Sequence, residues 1–412
     1  MTAAVIHGEG LGKPSTLNLS GRLPELDGLR GLAIGMVLVW HYFALTVQAR
    51  PASPLAYFMV LFRLTWTGDD LFFVLSGFLI GGILLDARKA TNYFEVFYKR
   101  RFFRIFPIYA ALLLVVALMN LTVERIHYTG FHWLTQDTLP WYSFWTFTQN
   151  FWSAHSVAPN AVALAVTWSL AVEEQFYITL PLMVRFFAGR RLLACVLAGI
   201  CVAPMSRIAI RFIWPHNWAA GYVLMPCRAD ALLLGVLAAI LVRDTNWRNR
   251  IQTNHLFFAI SMPIFLLGIA FLNLRASNME NPLMQSVGYT WLALFYVSVL
   301  LYAVTRPASL LSRSLRFNWL SWLGGIAYGT YLFHQFILGI SPGYFWGGYP
   351  KIQDGPTLLA VLESLVLTLI IARLSWRYFE SPLIRLGHRS GYTFAEPSPK
   401  TIPQSAPEAI PS

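Results

Sequence analysis

Ten stretches of this 412-residue chain, near residues 29–47, 69–86, 103–120, 166–187, 192–213, 226–242, 256–274, 285–304, 320–341 and 357–379, are apolar over the roughly 17–25 residues that a helix needs to cross a hydrocarbon core. No other feature limits the fold so tightly. Lipid offers no hydrogen bonds, so each backbone group must be satisfied within its own segment, and runs of this length fold as bundled helices. The sequence predicts an all-α polytopic membrane protein of about ten transmembrane helices. With 56% hydrophobic and 12% charged residues, it has about half the charge of a soluble domain, which excludes that class.

Lys and Arg number 31 against 19 Asp and Glu, a formal charge of +12. When loops are assigned to alternate sides, only Arg50, Arg63, Arg125, Arg207, Arg211, Arg228, Arg275 and Lys351 fall opposite the N-terminus. The positive-inside tendency then makes both termini cytoplasmic and the helix count even, with no need of a nucleic-acid partner. Residues 1–22 read as a polar cytoplasmic tail without the apolar core of a signal peptide. Residues 23–385 form the transmembrane core, and 386–412 a cytoplasmic tail whose Pro- and Ser-rich end is expected to be disordered. Cys195, Cys201 and Cys227 show neither a disulfide framework nor metal-ligand spacing, so neither a disulfide nor a metal is expected. The segment 121–165, rich in aromatics such as Trp133, Trp141, Trp145 and Trp152, reads as an interfacial belt or as a stacking surface for a sugar-like acceptor.

Ionisable residues within spans are expensive unless partnered, which makes them functional candidates. Arg30 and His41 are eleven residues apart, hence on one face of the first helix and about 16 Å apart along it. Counting from predicted helix ends places His41 about 18 Å from the inner surface, Glu173 and Glu174 about 11–12 Å from the outer, His334 about 21 Å from the inner and Glu363 about 9 Å from the outer. They share one layer. Each alone reads as a satisfied buried polar group; His41 with a carboxylate at equal depth points to chemistry. At the inner level, Arg101 and Arg104 lie three apart on one helix face. Alone they read as a positive-inside anchor; beside Arg30, their planar guanidinium groups suit phosphate. A Gly-rich phosphate loop is absent, leaving a nucleotide-phosphate tail such as that of coenzyme A as the fitting ligand.

Several of these residues fall in segments that resemble the membrane-bound acyltransferase 3 family: Leu23–Ala33 with His41, Phe72–Ile80, Arg101 and Arg104 within Arg100–Pro107, Thr167–Tyr177, Arg228–Gly235, Tyr331–His334 and Phe379–Pro382. The resemblance extends over residues 23 to 382. It implies a ten-helix core, an acyl-CoA donor on the side of Arg30, Arg101 and Arg104, His41 at the reacting centre, and a sugar or other hydroxylated acceptor. Some relatives carry an extra helix and a fused hydrolase-like domain. That domain is not expected here, so acceptor choice is expected to rest with the core and its loops.

A hydroxyl becomes a nucleophile when a base takes its proton, and neutral imidazole does this near neutral pH. His41 is the expected base, oriented by Glu173 or Glu174. It acts either by direct transfer or through an acyl-His41 intermediate. Asp69, Asp70, Arg228 and Asp230 read as acceptor guides or as caps and ion pairs; Ser76, Tyr331, His334 and Glu363 read as supporting residues. The expected reaction moves an acyl group, acetyl first among the choices, from cytosolic acyl-CoA to an extracytoplasmic glycan at a bacterial inner membrane, with no permanently bound cofactor. A small secondary metabolite such as a macrolide sugar is the alternative acceptor. A transporter of a lipid-linked or acylated product is the rival from another class.

Overall fold

The computed structural model describes residues 23–126, 131–136, 139–156, 161–346 and 348–395. The expected tails 1–22 and 396–412 lie outside the described residues. Ten helices of sixteen residues or more account for the predicted runs: α1 Pro24–Val39, α2 Gly68–Ala87, α3 Tyr93–Arg125, α4 Thr167–Phe186, α5 Gly189–Ile213, α6 Met225–Arg243, α7 His255–Arg275, α8 Tyr289–Thr305, α9 Ala327–Trp346 and α10 Gly355–Ser375. Among the described residues there is no strand, only two isolated bridges.

Among the described residues, seven helical segments are long and apolar enough to cross a membrane: Pro54–Ala87, Tyr93–Arg125, Gly189–Ile213, Trp218–Arg243, His255–Arg275, Met284–Thr305 and Gly355–Gly387. α1, α4 and α9 are not among them. These three carry Arg30 and His41, Glu173 and Glu174, and His334 and Gln335, so the polar groups that make them interesting also lower their apolarity.

Two departures from the sequence reading matter for the site. The α-helical part of α1 ends at Val39 and continues as a π-turn over Trp40–Ala44, so His41 does not follow the regular 100° ladder. π-Turns insert an extra residue and re-aim side chains. Tyr42, fully buried, holds this turn: its hydroxyl lies 2.7 Å from Thr368 Oγ1 in α10 and donates to the carbonyl of His334 in α9 at 3.1 Å. The predicted run 320–341 is broken, a short helix Asn318–Gly325 preceding α9.

Small residues set the closest helix crossings, as in membrane bundles generally. Gly77 of α2 faces the backbone of Leu232 and Gly235 of α6 faces the carbonyl of Val74; at either position a Cβ would collide with backbone. The two glycines thus let α2 and α6 pack backbone against backbone. α1 starts with Pro24 and has Glu25 and Asp27 in its first turn, favourable at the positive end of the helix dipole. Glu25 pairs with Arg316, tying α1 to the segment before Asn318–Gly325.

Candidate active site

Two histidines from helices distant in sequence meet inside the bundle. His334 Nε2 lies 3.2 Å from His41 Nδ1, with ring centroids 4.7 Å apart and nearly edge-on. His41 Nδ1 also lies 3.0 Å from the carbonyl of Val37, and His334 Nδ1 lies 2.7 Å from the carbonyl of Tyr331. A carbonyl only accepts, so both rings are assigned a proton on Nδ1. His334 Nε2 is then a lone pair facing the His41 Nδ1–H, and His41 Nε2 is left as the basic nitrogen. His334, expected only as a supporting residue, is the direct side-chain partner of His41.

The expected orientation of His41 by Glu173 or Glu174 is not what the structure makes. Glu173 accepts from the Tyr177 hydroxyl at 3.1 Å, and that hydroxyl lies 2.5 Å from Ser76 Oγ. Among the described residues no hydrogen bond or ion pair joins either carboxylate to His41. The depth count fails because it assumed aligned helix ends. Ser169 of α4, four residues before Glu173, already meets the hydroxyl of Tyr331, three residues short of His334, so α4 carries the two carboxylates a further turn along, toward the arginines. Glu363 departs further: it is exposed on α10, away from the histidines.

A cavity of about 490 Å³ lies beneath the histidine pair. Its wall includes Arg30, Arg101 and Arg104 together with Asp27, Ser76, Glu173 and Glu380, then Asp69, Ser169 and Tyr331. Tyr331 connects the cavity to the histidines: its ring centroid is 5.8 Å from that of His334, and its hydroxyl lies 2.7 Å from Ser169 Oγ. The Tyr328 hydroxyl donates to the carbonyl of Ile105, next to Arg104, at 3.2 Å. His334 is six residues, about 9 Å, farther along α9 than Tyr328.

Arg30 donates to Asp27 at 2.8 Å. Among the described residues, Arg101 and Arg104 have no carboxylate within ion-pair distance, and Arg101 Nε is buried without a hydrogen-bond partner. Three guanidinium groups around one cavity, two of them without a paired carboxylate, form a site for a multiply charged anion.

The remaining predicted residues serve the frame. Arg228 and Asp230 do not pair with each other; two apart on a helix, they point to different sides. Arg228 donates to Asp70 at 2.6 Å and stacks over Tyr289 at 4.2 Å. Asp230 binds Arg207 at 2.9 Å and Thr290 at 2.6 Å. Both pairs are almost fully buried, α2 being clamped to α6 by one and α5 to α6 by the other. Arg207, assigned by charge counting to the outer side, is inside the protein; a lone arginine in an apolar run was the available signal. Asp27, Ser169, Tyr177 and Glu380 line the cavity and were not singled out, although each lies within a segment that carries the family resemblance.

On the other side of the π-turn, a second cavity of about 570 Å³ is lined by Trp40, Ala44 and Leu45 together with Arg63, Asn278 and Glu280. The aromatic segment also reaches this region: Trp133 packs edge-on against Tyr349 at 6.2 Å, and the Tyr349 hydroxyl donates to the carbonyl of His41 at 3.5 Å. Tyr142, Trp145 and Trp152 are exposed.

A family model described as an acyltransferase domain matches residues 23–377. The peptidoglycan O-acetyltransferase OatA of Listeria monocytogenes is 26% identical, over 89% of this chain and 56% of its own length. The putative peptidoglycan O-acetyltransferase YrhL of Bacillus subtilis is also 26% identical with the same coverage. The O-acetyltransferase OatA of Staphylococcus aureus is 24% identical, over 89% of this chain and 58% of its own. The chain thus spans little more than half the length of these relatives. No solved structure matches it.

Proposed function

The chain belongs to the acyltransferase 3 family, and on that premise we propose that it is a membrane O-acyltransferase that moves an acetyl group from cytosolic acyl-CoA to a hydroxyl of an extracytoplasmic glycan. The observation that carries this reading is the single cavity that has Arg30, Arg101 and Arg104 on its wall and, on the same wall, Tyr331 in contact with the His334–His41 pair. The arginines bind the phosphates of the donor. The arm that carries the thioester extends past Tyr331 to the histidines. In this reading the chain makes ten spans in a bacterial inner membrane with both termini cytoplasmic; the distribution of basic residues supports that orientation, which sets the arginines at the cytosolic face.

The tautomers give His41 its role. Its Nε2 takes the proton of the acceptor hydroxyl as the oxygen attacks the thioester carbon; the carbon–sulfur bond breaks, and the thiolate recovers that proton from Nε2. The imidazolium formed in between keeps its Nδ1–H on the Val37 carbonyl and the His334 lone pair, the part that a carboxylate plays in a Ser-His-Asp triad. The same Nε2 lone pair also serves as nucleophile in a relay through acyl-His41. The second cavity, with Trp40 beside Arg63, Asn278 and Glu280, offers the stacking face and polar groups that a sugar requires, on the side of the π-turn away from the donor. The relatives' names make a peptidoglycan-type glycan the first acceptor to try.

Purified protein in vesicles, given labelled acetyl-CoA on the cytosolic side and a glycan acceptor on the other, is expected to place label in the acceptor as an O-ester. Movement of a substrate without acylation would replace this reading by transport.

A further inference from the structure

Asp69 is a buried carboxylate that the proposed chemistry leaves unused. It is 9% exposed, lines the donor cavity, and its Oδ1 has no hydrogen-bond partner. Its neighbour Asp70 differs in kind, being paired with Arg228 at 2.6 Å. Asp69 interacts with Tyr331, whose hydroxyl is already shared with Ser169 and the Val166 carbonyl. A buried acceptor left without a donor carries an uncompensated desolvation penalty, so such an atom calls for an explanation.

Its position narrows the choice of partner. Gly68, the preceding residue, packs on the Ala33 carbonyl at a distance that would leave a Cβ only 2.6 Å from it. Ala33 is three residues beyond Arg30 and eight before His41, that is, about 4.5 Å and 12 Å along α1. Asp69 therefore stands between the phosphate-binding arginines and the reacting imidazole, on the arginine side of the path that the donor's arm follows. Phe72 and Phe73 line the cavity beside it, and the nearby Arg228 guanidinium, which lies over the Phe73 ring, is committed to Asp70 at 2.6 Å. A coenzyme A arm has two amides in its middle, and an amide N–H is the donor that a lone carboxylate oxygen in such a slot lacks.

We propose that Asp69 Oδ1 accepts a hydrogen bond from one amide N–H of the donor's arm and thereby sets the register of the thioester against His41. The inference rests on the acyl-CoA reading above. It makes Asp69 a donor-binding residue placed by the fold between two groups that the sequence already singled out.

Transfer rates are compared for acetyl-CoA and for two analogues in which one or the other amide N–H of the arm is replaced by oxygen. In the unmodified protein one analogue should lose about tenfold or more in kcat/KM, because a site built to hydrogen-bond an N–H rejects a substrate without it. The Asp69→Leu variant should treat that analogue and acetyl-CoA alike, and Asp69→Asn, which keeps an accepting oxygen, should restore part of the discrimination. The comparison in the unmodified protein requires no variant to fold. Equal rates for all three donors, or discrimination that survives in Asp69→Leu, would overturn the inference while leaving the acyltransferase reading in place. No transfer from acetyl-CoA itself would overturn both.

Discussion

His334 Nε2 stands 3.2 Å from His41 Nδ1, and the carbonyls of Tyr331 and Val37 settle which nitrogen of each ring carries its proton. One imidazole thus presents a lone pair to the N–H of the other, and the basic nitrogen of His41 points away from the pair. The two residues are 293 positions apart in the chain, and the contact exists because α1 and α9 adjoin.

Replacing His41 by Ala is expected to lower acyl transfer by roughly 10²–10⁴-fold, the usual worth of a positioned base, with donor binding retained. His334→Ala should cost less, since it removes the orienting lone pair and leaves the Val37 carbonyl. Rates in membranes at matched protein level check both. Full activity of His41→Ala would end the proposed mechanism.

Arg101→Ala and Arg104→Ala are expected to raise the KM for acetyl-CoA on the order of ten- to a hundredfold each, as loss of a charged hydrogen bond costs about 1.5–3 kcal/mol. The rate at saturating donor should change little. A donor lacking the 3′-phosphate serves as control: if the arginines bind phosphate, at least one substitution will cost less with that donor than with the intact one. An unchanged KM in both variants would assign the pair to anchoring.

Tyr42→Phe removes the hydroxyl that joins the π-turn to α9 and α10 while preserving the ring. We expect a loss of about 1 kcal/mol in stability, the typical net worth of such a bond. The rate should fall with no change in donor affinity, because the turn carries His41 and not the arginines. Steady-state kinetics beside thermal unfolding in detergent will separate the two effects.

The buried pair Arg228 and Asp70 is expected to be structural. Removing one partner, as in Asp70→Ala, should destabilise by about 3–5 kcal/mol because it strands the other charge. Replacing both by apolar residues of similar volume should cost less. Thermal unfolding of the two single variants and the double variant in one detergent tests this ordering.

Gly235→Val places a branched side chain where only backbone fits, against the Val74 carbonyl, and should separate α2 from α6. Overpacking of this kind costs about 1–3 kcal/mol or more. Gly391→Ala, which meets nothing within 4 Å, is the matched control and should be neutral. Equal melting temperatures for the two would contradict the crossing described above.

The helices themselves were legible because their signal is local. A run of apolar residues long enough for a bilayer predicts a helix wherever it packs, and the ten long helices coincide with the ten predicted runs to within a few residues at most ends. α3 is the largest exception, starting at Tyr93 rather than near 103, since its first turns are charged and amphipathic. The gathering of Arg30, Arg101 and Arg104 at one level was also legible, through the helix spacings and the family segments, and the three share one cavity wall.

Pairings between helices were not legible, and here the reasons are specific. His41 was given a carboxylate partner by counting depth from helix ends, but α4 meets α9 at Ser169 and Tyr331, a turn before Glu173, so equal counts did not mean equal heights. Arg228 and Asp230, close in sequence, pair with Asp70 and Arg207 on other helices because residues two apart on a helix diverge. Glu363 satisfied the depth count and faces outward, since the rotation of α10 about its axis is set by its neighbours. By itself the sequence determined that the chain forms helices of membrane-spanning length, and which polar residues those helices carry. Only the tertiary structure decided which of those residues touch. The reason is that apolarity acts along each segment separately, whereas contact depends on the relative height, rotation and crossing of two segments, and close-packed glycines and buried ion pairs fix those.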